Sequence, residues 1–199
     1  MNLPNRITLG RLATSVALFV GLVVQEQEWL PGEPLVPWFA FGVFVLTAGS
    51  DWFDGHIARA RGEVTVLGRM MDPFVDKVLV CGTLIFLTSM TPDLWPPWMV
   101  VVIVSREFLV SGIRGYMESQ GISFAAKMEG KVKMVLRCLA AGATLLLYAV
   151  TGSTQVEPTW FTRTCLVLAW VALLSTVYSG WVYARVFHAN LARLDGAQT

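Results

Sequence analysis

The sequence predicts an all-α integral membrane protein with six transmembrane helices and both termini in the cytoplasm. Three observations predict it. The 199 residues are 55% hydrophobic and only 15% charged, with a mean hydropathy of +0.59, whereas soluble domains carry about 25% charged residues. Six apolar segments, at about 9–24, 35–50, 64–90, 95–112, 132–150 and 161–184, are separated by polar or turn-forming stretches. Fourteen of the fifteen basic residues fall on one side of the alternating connections, and the positive-inside rule makes that side cytoplasmic.

A helix needs roughly 20 residues to cross the hydrocarbon core, so the first two segments, being short, draw in flanking residues. The first has no basic cluster at its very start and no small-x-small site before "QEQEWLPG". It therefore reads as a retained helix rather than a cleaved leader. That connection holds three Glu and no Lys or Arg, which puts it outside. The second segment, "LVPWFAFGVFVLTAG", runs straight into "SDWFDG", and Arg59, Arg61, Arg69 and Lys77 follow on the inner side. The third ends at "TPDLWPP", which has no basic residue and, like "PGEP", marks a turn between helices. The fourth contains Arg106 and leads to Arg114, Lys127, Lys131, Lys133 and Arg137. The fifth ends at "TGSTQVEPTWFTR", where Arg163 is the lone cation, and the sixth returns to Arg185 and Arg193. Trp29, Trp38, Trp95, Trp98 and Trp160 fall where the outer interface should lie, as an aromatic belt would.

With no linker, repeat or low-complexity tract, residues 1–199 read as one domain. Neither a basic arm nor zinc-finger spacing points to nucleic acid. Cys81, Cys138 and Cys165 lie in apolar stretches without paired spacing, so they read as packing residues rather than disulfides or metal ligands. His56 and His188 read as structural or solvated.

Four aspartates stand apart. Asp51 and Asp54 are three residues apart, and Asp72 and Asp76 are four apart. On helices, each pair projects from one face. Gly55 and Ala58 flank the first pair, Gly68 lies one turn before the second, and small residues there leave room for a ligand; Arg59 adds a positive charge at the same end. Ionisable groups inside a membrane cost on the order of 3 kcal/mol each on insertion scales. Two hard divalent cations, Mg²⁺ or Mn²⁺, would remove the conflict and suit phosphoryl chemistry. The alternative is an interfacial salt-bridge network with Arg59, Arg61, Arg69 and Lys77.

The stretch from Asp51 to Asp76 reads D-x₂-D-G-x₂-A-R-x₈-G-x₃-D-x₃-D. It resembles the signature of the CDP-alcohol phosphotransferases, integral membrane enzymes of phospholipid synthesis. The resemblance implies a six-helix homodimer whose cytoplasm-facing site holds two metal ions. It makes Asp51, Asp54, Asp72 and Asp76 metal ligands and Asp76 also the general base. It puts Gly55, Ala58, Arg59, Thr65 and Gly68 against the CDP-linked lipid. The segment "PNRIT" is similar to a family segment that closes over the cytidine, which adds Asn5 and Thr8. No Ser, Cys or His constellation is placed to form a covalent intermediate.

The second half bears on the acceptor alcohol. "SREFLVSGIRGYMESQG" and "KMEGKVKM" resemble the bacterial branch of the family that joins CDP-diacylglycerol to sn-glycerol 3-phosphate and releases CMP, in the inner membrane. Members commonly continue after "GKVK" with Thr and then Gln, where this chain has Met134 and Arg137. Arg106 inside an apolar segment is costly unless it binds something. Its neighbour Glu107 projects about 100° away around a helix and need not cancel it. Arg106, Arg114, Lys127, Lys131 and Lys133 are therefore expected to hold the acceptor phosphate, where serine would need no such cluster. The alternative for the lysines is topology plus attraction to anionic lipid. Sister enzymes taking inositol phosphate, serine or phosphatidylglycerol are the nearest rival reading. A cation or proton transporter fits less well, because its acids should recur near the midplane of several helices, often in repeats.

Overall fold

The computed structural model describes the backbone of residues 3–27, 29, 35–61, 66–120, 128–152 and 159–196, and side chains over 8–27, 29, 35–50, 74–120, 132–152 and 159–189. The described residues form helices α1 (Leu3–Glu26), α2 (Leu35–Arg61), α3 (Val66–Met90), α4 (Pro97–Ser119), α5 (Met128–Thr151) and α6 (Trp160–Gly196). Each overlaps one of the apolar segments. Most run past them: α2 continues through the first aspartate pair, and α6 is 37 residues long.

Local chemistry sets several ends. Pro97 opens α4, where a missing N–H costs nothing because the first turn has no acceptor for it. At the end of α5, Gly152 has φ +62 and its N–H donates to the Tyr148 carbonyl at 2.9 Å. That is a left-handed helix stop, which a residue without Cβ adopts freely.

The helices pack as a ring, with α1 between α2 and α3, α5 between α2 and α6, and α4 between α6 and α3. Contact between α3 and α5 crosses the middle. The face of α3 that meets its neighbours carries Val75, Leu79, Leu84 and Leu87, all buried at helical spacing. On α6 the buried face is small and polar, with Ala169, Ala172, Thr176 and Ser179, while Val167, Trp170, Leu174 and Trp181 point outward. Water would favour the reverse arrangement. Small residues inside and large apolar residues outside suit helices packed in lipid, where close backbone approach rather than burial of bulk drives association. By length and composition, α1, α5 and α6 contain spans long and apolar enough to cross a membrane among the described residues, and α2 contributes the shorter apolar stretch Leu35–Ser50.

One member of the expected aromatic belt is not on the surface. Trp95 is fully buried, and its indole N–H donates to Thr144 Oγ1 at 3.0 Å. A buried partner for the N–H removes its reason to sit at a wet interface. Trp29, Trp38, Trp98 and Trp160 are exposed as expected. The three cysteines form no disulfide among the described residues, and Cys81 and Cys165 are buried.

Candidate active site

The backbone is helical at all four aspartates. Asp51 and Asp54 therefore share a face of α2, and Asp72 and Asp76 share a face of α3. Helix α2 reaches the first pair without a break, so the apolar stretch and both aspartates belong to one helix. The side chains of Asp51, Asp54 and Asp72 lie outside the described residues. So do those of Asn5, Gly55, Ala58, Arg59 and Gly68, and all of Thr65.

Asp76 is described. Its Oδ1 accepts from Nη2 of Arg11, on α1, and the Arg11 side chain is only 6% exposed. Thr8 is buried three residues before Arg11, on the same face of α1. The N-terminal helix thus brings Thr8 and Arg11 toward the second aspartate pair. Lys77, which the salt-bridge alternative assigned to an aspartate, instead donates to Ser111 Oγ on α4.

Among the described residues, no group of three or more His, Cys, Asp or Glu is placed to hold a metal. Three of the four proposed ligand side chains are not among them. The donor set itself fits the expected ions: four carboxylates, with neither sulfur nor imidazole, suit Mg²⁺ or Mn²⁺.

A second cluster lies across α4, α5 and α6. Glu107 Oε1 accepts from Arg106 Nη1 at 2.6 Å and from Lys133 Nζ at 2.6 Å, and forms an ion pair with Arg137 Nη2 at 3.2 Å. All four residues are buried. Arg106 also donates through Nη2 to Ser179 Oγ at 2.6 Å, and its guanidinium lies 5.4 Å from the Tyr183 ring centre. Arg114 Nη2 donates to the Tyr183 hydroxyl at 3.3 Å.

The expectation that Glu107 leaves Arg106 alone is wrong. Adjacent residues diverge at Cβ, but the long Arg106 side chain folds back to its neighbour's carboxylate. Gly180 makes room for it: a Cβ there would stand 3.1 Å from Arg106 Cγ. Lys133 lies in the cluster and Arg114 beside it, while Lys127 and the Lys131 side chain lie outside the described residues. Glu107, Arg137, Ser179 and Tyr183 were not anticipated as site residues. Arg137 follows Lys133 by one helical turn, and Ser179 and Tyr183 are likewise one turn apart, but only the packing of α4 against α6 and of α3 and α6 against α5 reveals the common target.

The cluster has donor capacity to spare. One carboxylate oxygen meets two guanidinium groups and an ammonium, whose N–H donors far outnumber it. Arg106 Nε and Arg114 Nε are buried with no hydrogen-bond partner among the described residues. A buried unpaired donor costs about 1–3 kcal/mol, which an oxyanion ligand would recover. The two clusters are joined: Asp76 precedes Lys77, Lys77 donates to Ser111, and Ser111 Oγ donates to the Glu107 carbonyl at 2.6 Å.

The CDP-alcohol phosphatidyltransferase family model matches residues 1–181. The chain is similar to the CDP-diacylglycerol–glycerol-3-phosphate 3-phosphatidyltransferase of Bacillus subtilis (strain 168), at 38% identity over 92% of this chain and 93% of that protein. Proteins of the same name from Rickettsia bellii, at 31% identity over 92% and 93%, and Cereibacter sphaeroides, at 26% over 92% and 94%, are also similar. With the family model spanning both the aspartate helices and the basic cluster, the chain belongs to the CDP-alcohol phosphatidyltransferase family.

Proposed function

We propose that this protein transfers the phosphatidyl group of CDP-diacylglycerol to sn-glycerol 3-phosphate, giving phosphatidylglycerophosphate and CMP. Relatives named for that reaction align over nearly the whole chain. The observation in the molecule that carries the reading is the buried cluster of Arg106, Lys133 and Arg137, with donors left over, next to the aspartate helices. An acceptor that brings its own phosphate explains why so much positive charge is held there; serine does not.

Asp76 takes the proton from the acceptor hydroxyl, whose oxygen forms a new bond to the lipid-side phosphorus. The bond from that phosphorus to the bridging oxygen breaks, and CMP leaves with the electron pair. Asp51, Asp54, Asp72 and Asp76 would hold two divalent ions, Mg²⁺ or Mn²⁺, which supply charge neutralisation around the diphosphate. Asn5, Thr8, Gly55, Ala58, Arg59, Thr65 and Gly68 bind the CDP-lipid. Arg106, Arg114, Lys127, Lys131, Lys133 and Arg137 hold the acceptor phosphate, so that its hydroxyl faces Asp76. Fixing both reactants is a main source of rate in phosphoryl transfer.

All six helices span the bilayer, both termini and the site face the cytoplasm, and the protein works as a homodimer in the bacterial inner membrane. The basic residues and the outward apolar faces support the spans and their orientation; the dimer follows from the family resemblance.

The test is CMP release from CDP-diacylglycerol by the purified protein, offered glycerol 3-phosphate, inositol phosphate or serine in parallel. Release that depends on glycerol 3-phosphate is expected. Release with another acceptor and none with glycerol 3-phosphate would overturn the assignment.

A further inference from the structure

We infer that Glu107 is a built-in counter-ion that sets the charge of the acceptor pocket, holding phosphate firmly enough to bind the acceptor yet loosely enough to let the product go. The inference rests on the acceptor reading above.

Three cations converge on one carboxylate oxygen, so the buried cluster keeps two net positive charges. A phosphate monoester has its second ionisation near pH 6, so at neutral pH it is largely a dianion. The residual charge of these four buried residues and that of the ligand match. Without Glu107 the same three side chains would present three positive charges.

The reaction makes excess affinity harmful. Glycerol 3-phosphate reacts through a hydroxyl and keeps its phosphate, so the same group sits in the pocket before, during and after transfer. Contacts to it bind substrate and product alike and do nothing selective for the transition state. Each further unit of charge would tighten the product as much as the acceptor. At about 5 Å, one unit charge against a dianion changes binding by on the order of tenfold even in an aqueous dielectric.

Glu107 also aligns what it neutralises. Arg106 comes from α4, and Lys133 and Arg137 from α5, yet all three point at Oε1. This is the role of a positioning residue, since the carboxylate reaches the acceptor only through the cations.

The geometry separates the two roles. All three cations use the same oxygen, and glutamine keeps an oxygen there. Glu107→Gln therefore changes the charge while leaving an acceptor for alignment; Arg137→Gln changes it in the opposite direction. The purified enzyme is assayed with glycerol 3-phosphate varied at saturating CDP-diacylglycerol, and with inorganic phosphate as a competitor. Glu107→Gln is expected to lower the KM for glycerol 3-phosphate and the inhibition constant of phosphate about tenfold, with a reduced kcat as product release slows. Arg137→Gln should raise both constants about tenfold, and the double variant should return both toward wild type. Glu107→Ala, which removes the shared oxygen, should raise the KM.

Raised or unchanged constants in Glu107→Gln, or a double variant no better than Arg137→Gln alone, would overturn the charge-setting role. If Glu107→Gln does not fold, the double variant decides, because it restores the wild-type charge. A different result points elsewhere: phosphate that inhibits the wild type without competing with glycerol 3-phosphate would show that the pocket is not the acceptor site at all.

Discussion

The aspartate region and the basic cluster are built in opposite ways. The four aspartates lie within a single stretch from Asp51 to Asp76 on two consecutive helices. Their pattern is local, and helical spacing alone converts it into paired faces. The basic cluster draws on Arg106, Lys133, Arg137, Ser179 and Tyr183, which only the packing of α4, α5 and α6 brings together. The chemistry proposed for the aspartates is thus written locally, while the proposed acceptor pocket is assembled from the fold. Substitutions among the aspartates should stop the reaction whatever the acceptor; those in the basic cluster should act on the acceptor first.

Metal removal is the largest expected effect. Chelation with EDTA should abolish CMP release, and Mg²⁺ or Mn²⁺ should restore it, because every proposed ligand is a carboxylate. Undiminished turnover in a rigorously metal-free sample would turn the aspartates into a salt-bridge network and remove the contrast between the regions. Next comes Asp76→Asn. Asparagine keeps the shape and one oxygen but cannot accept a proton at neutral pH. Loss of a general base costs about 10²–10⁴-fold, so kcat should fall by that much while CDP-lipid binding persists. A rate close to wild type would strip Asp76 of the base role.

Arg106→Ala tests the other region. It deletes a buried cation that contacts Glu107, Ser179 and the Tyr183 ring. Hydrogen bonds to charged groups are worth about 1.5–3 kcal/mol, so the KM for glycerol 3-phosphate should rise about 10- to 100-fold. The KM for CDP-diacylglycerol should hardly move. An equal loss for both substrates would mean that the cluster supports the fold rather than the acceptor.

The same contrast explains what could be read in advance. Hydropathy is carried residue by residue, so the six segments were legible and five of the six helices run beyond them. The fold altered that reading where a polar group found a partner from a distant helix. Trp95 meets Thr144 and leaves the expected belt. Arg106 was singled out because its burial needed a reason, but half of the reason lay beside it in Glu107 and the other half on α6. Arg137 read only as a departure from the family pattern. Its contact with Glu107 depends on how α3 and α6 hold α4 and α5 toward one another, and no local spacing encodes that.

The smallest expected effect dissects Tyr183, which presents its ring to Arg106 and its hydroxyl to Arg114. Tyr183→Phe keeps the ring under the Arg106 guanidinium and deletes a long hydrogen bond of 3.3 Å. An ordinary hydrogen bond contributes about 0.5–1.5 kcal/mol, and one this long belongs at the lower end, so the KM for glycerol 3-phosphate should rise about two- to threefold. Tyr183→Leu loses the ring face as well, and a partly desolvated cation–π contact adds about 1–2 kcal/mol. The leucine variant should therefore be clearly worse than the phenylalanine variant, with the KM for CDP-diacylglycerol unchanged in both. Steady-state kinetics with each substrate varied separately distinguishes them. Equal defects in the two variants would assign the contribution to the hydroxyl and to Arg114, and would move the centre of the acceptor pocket along α4, away from Arg106.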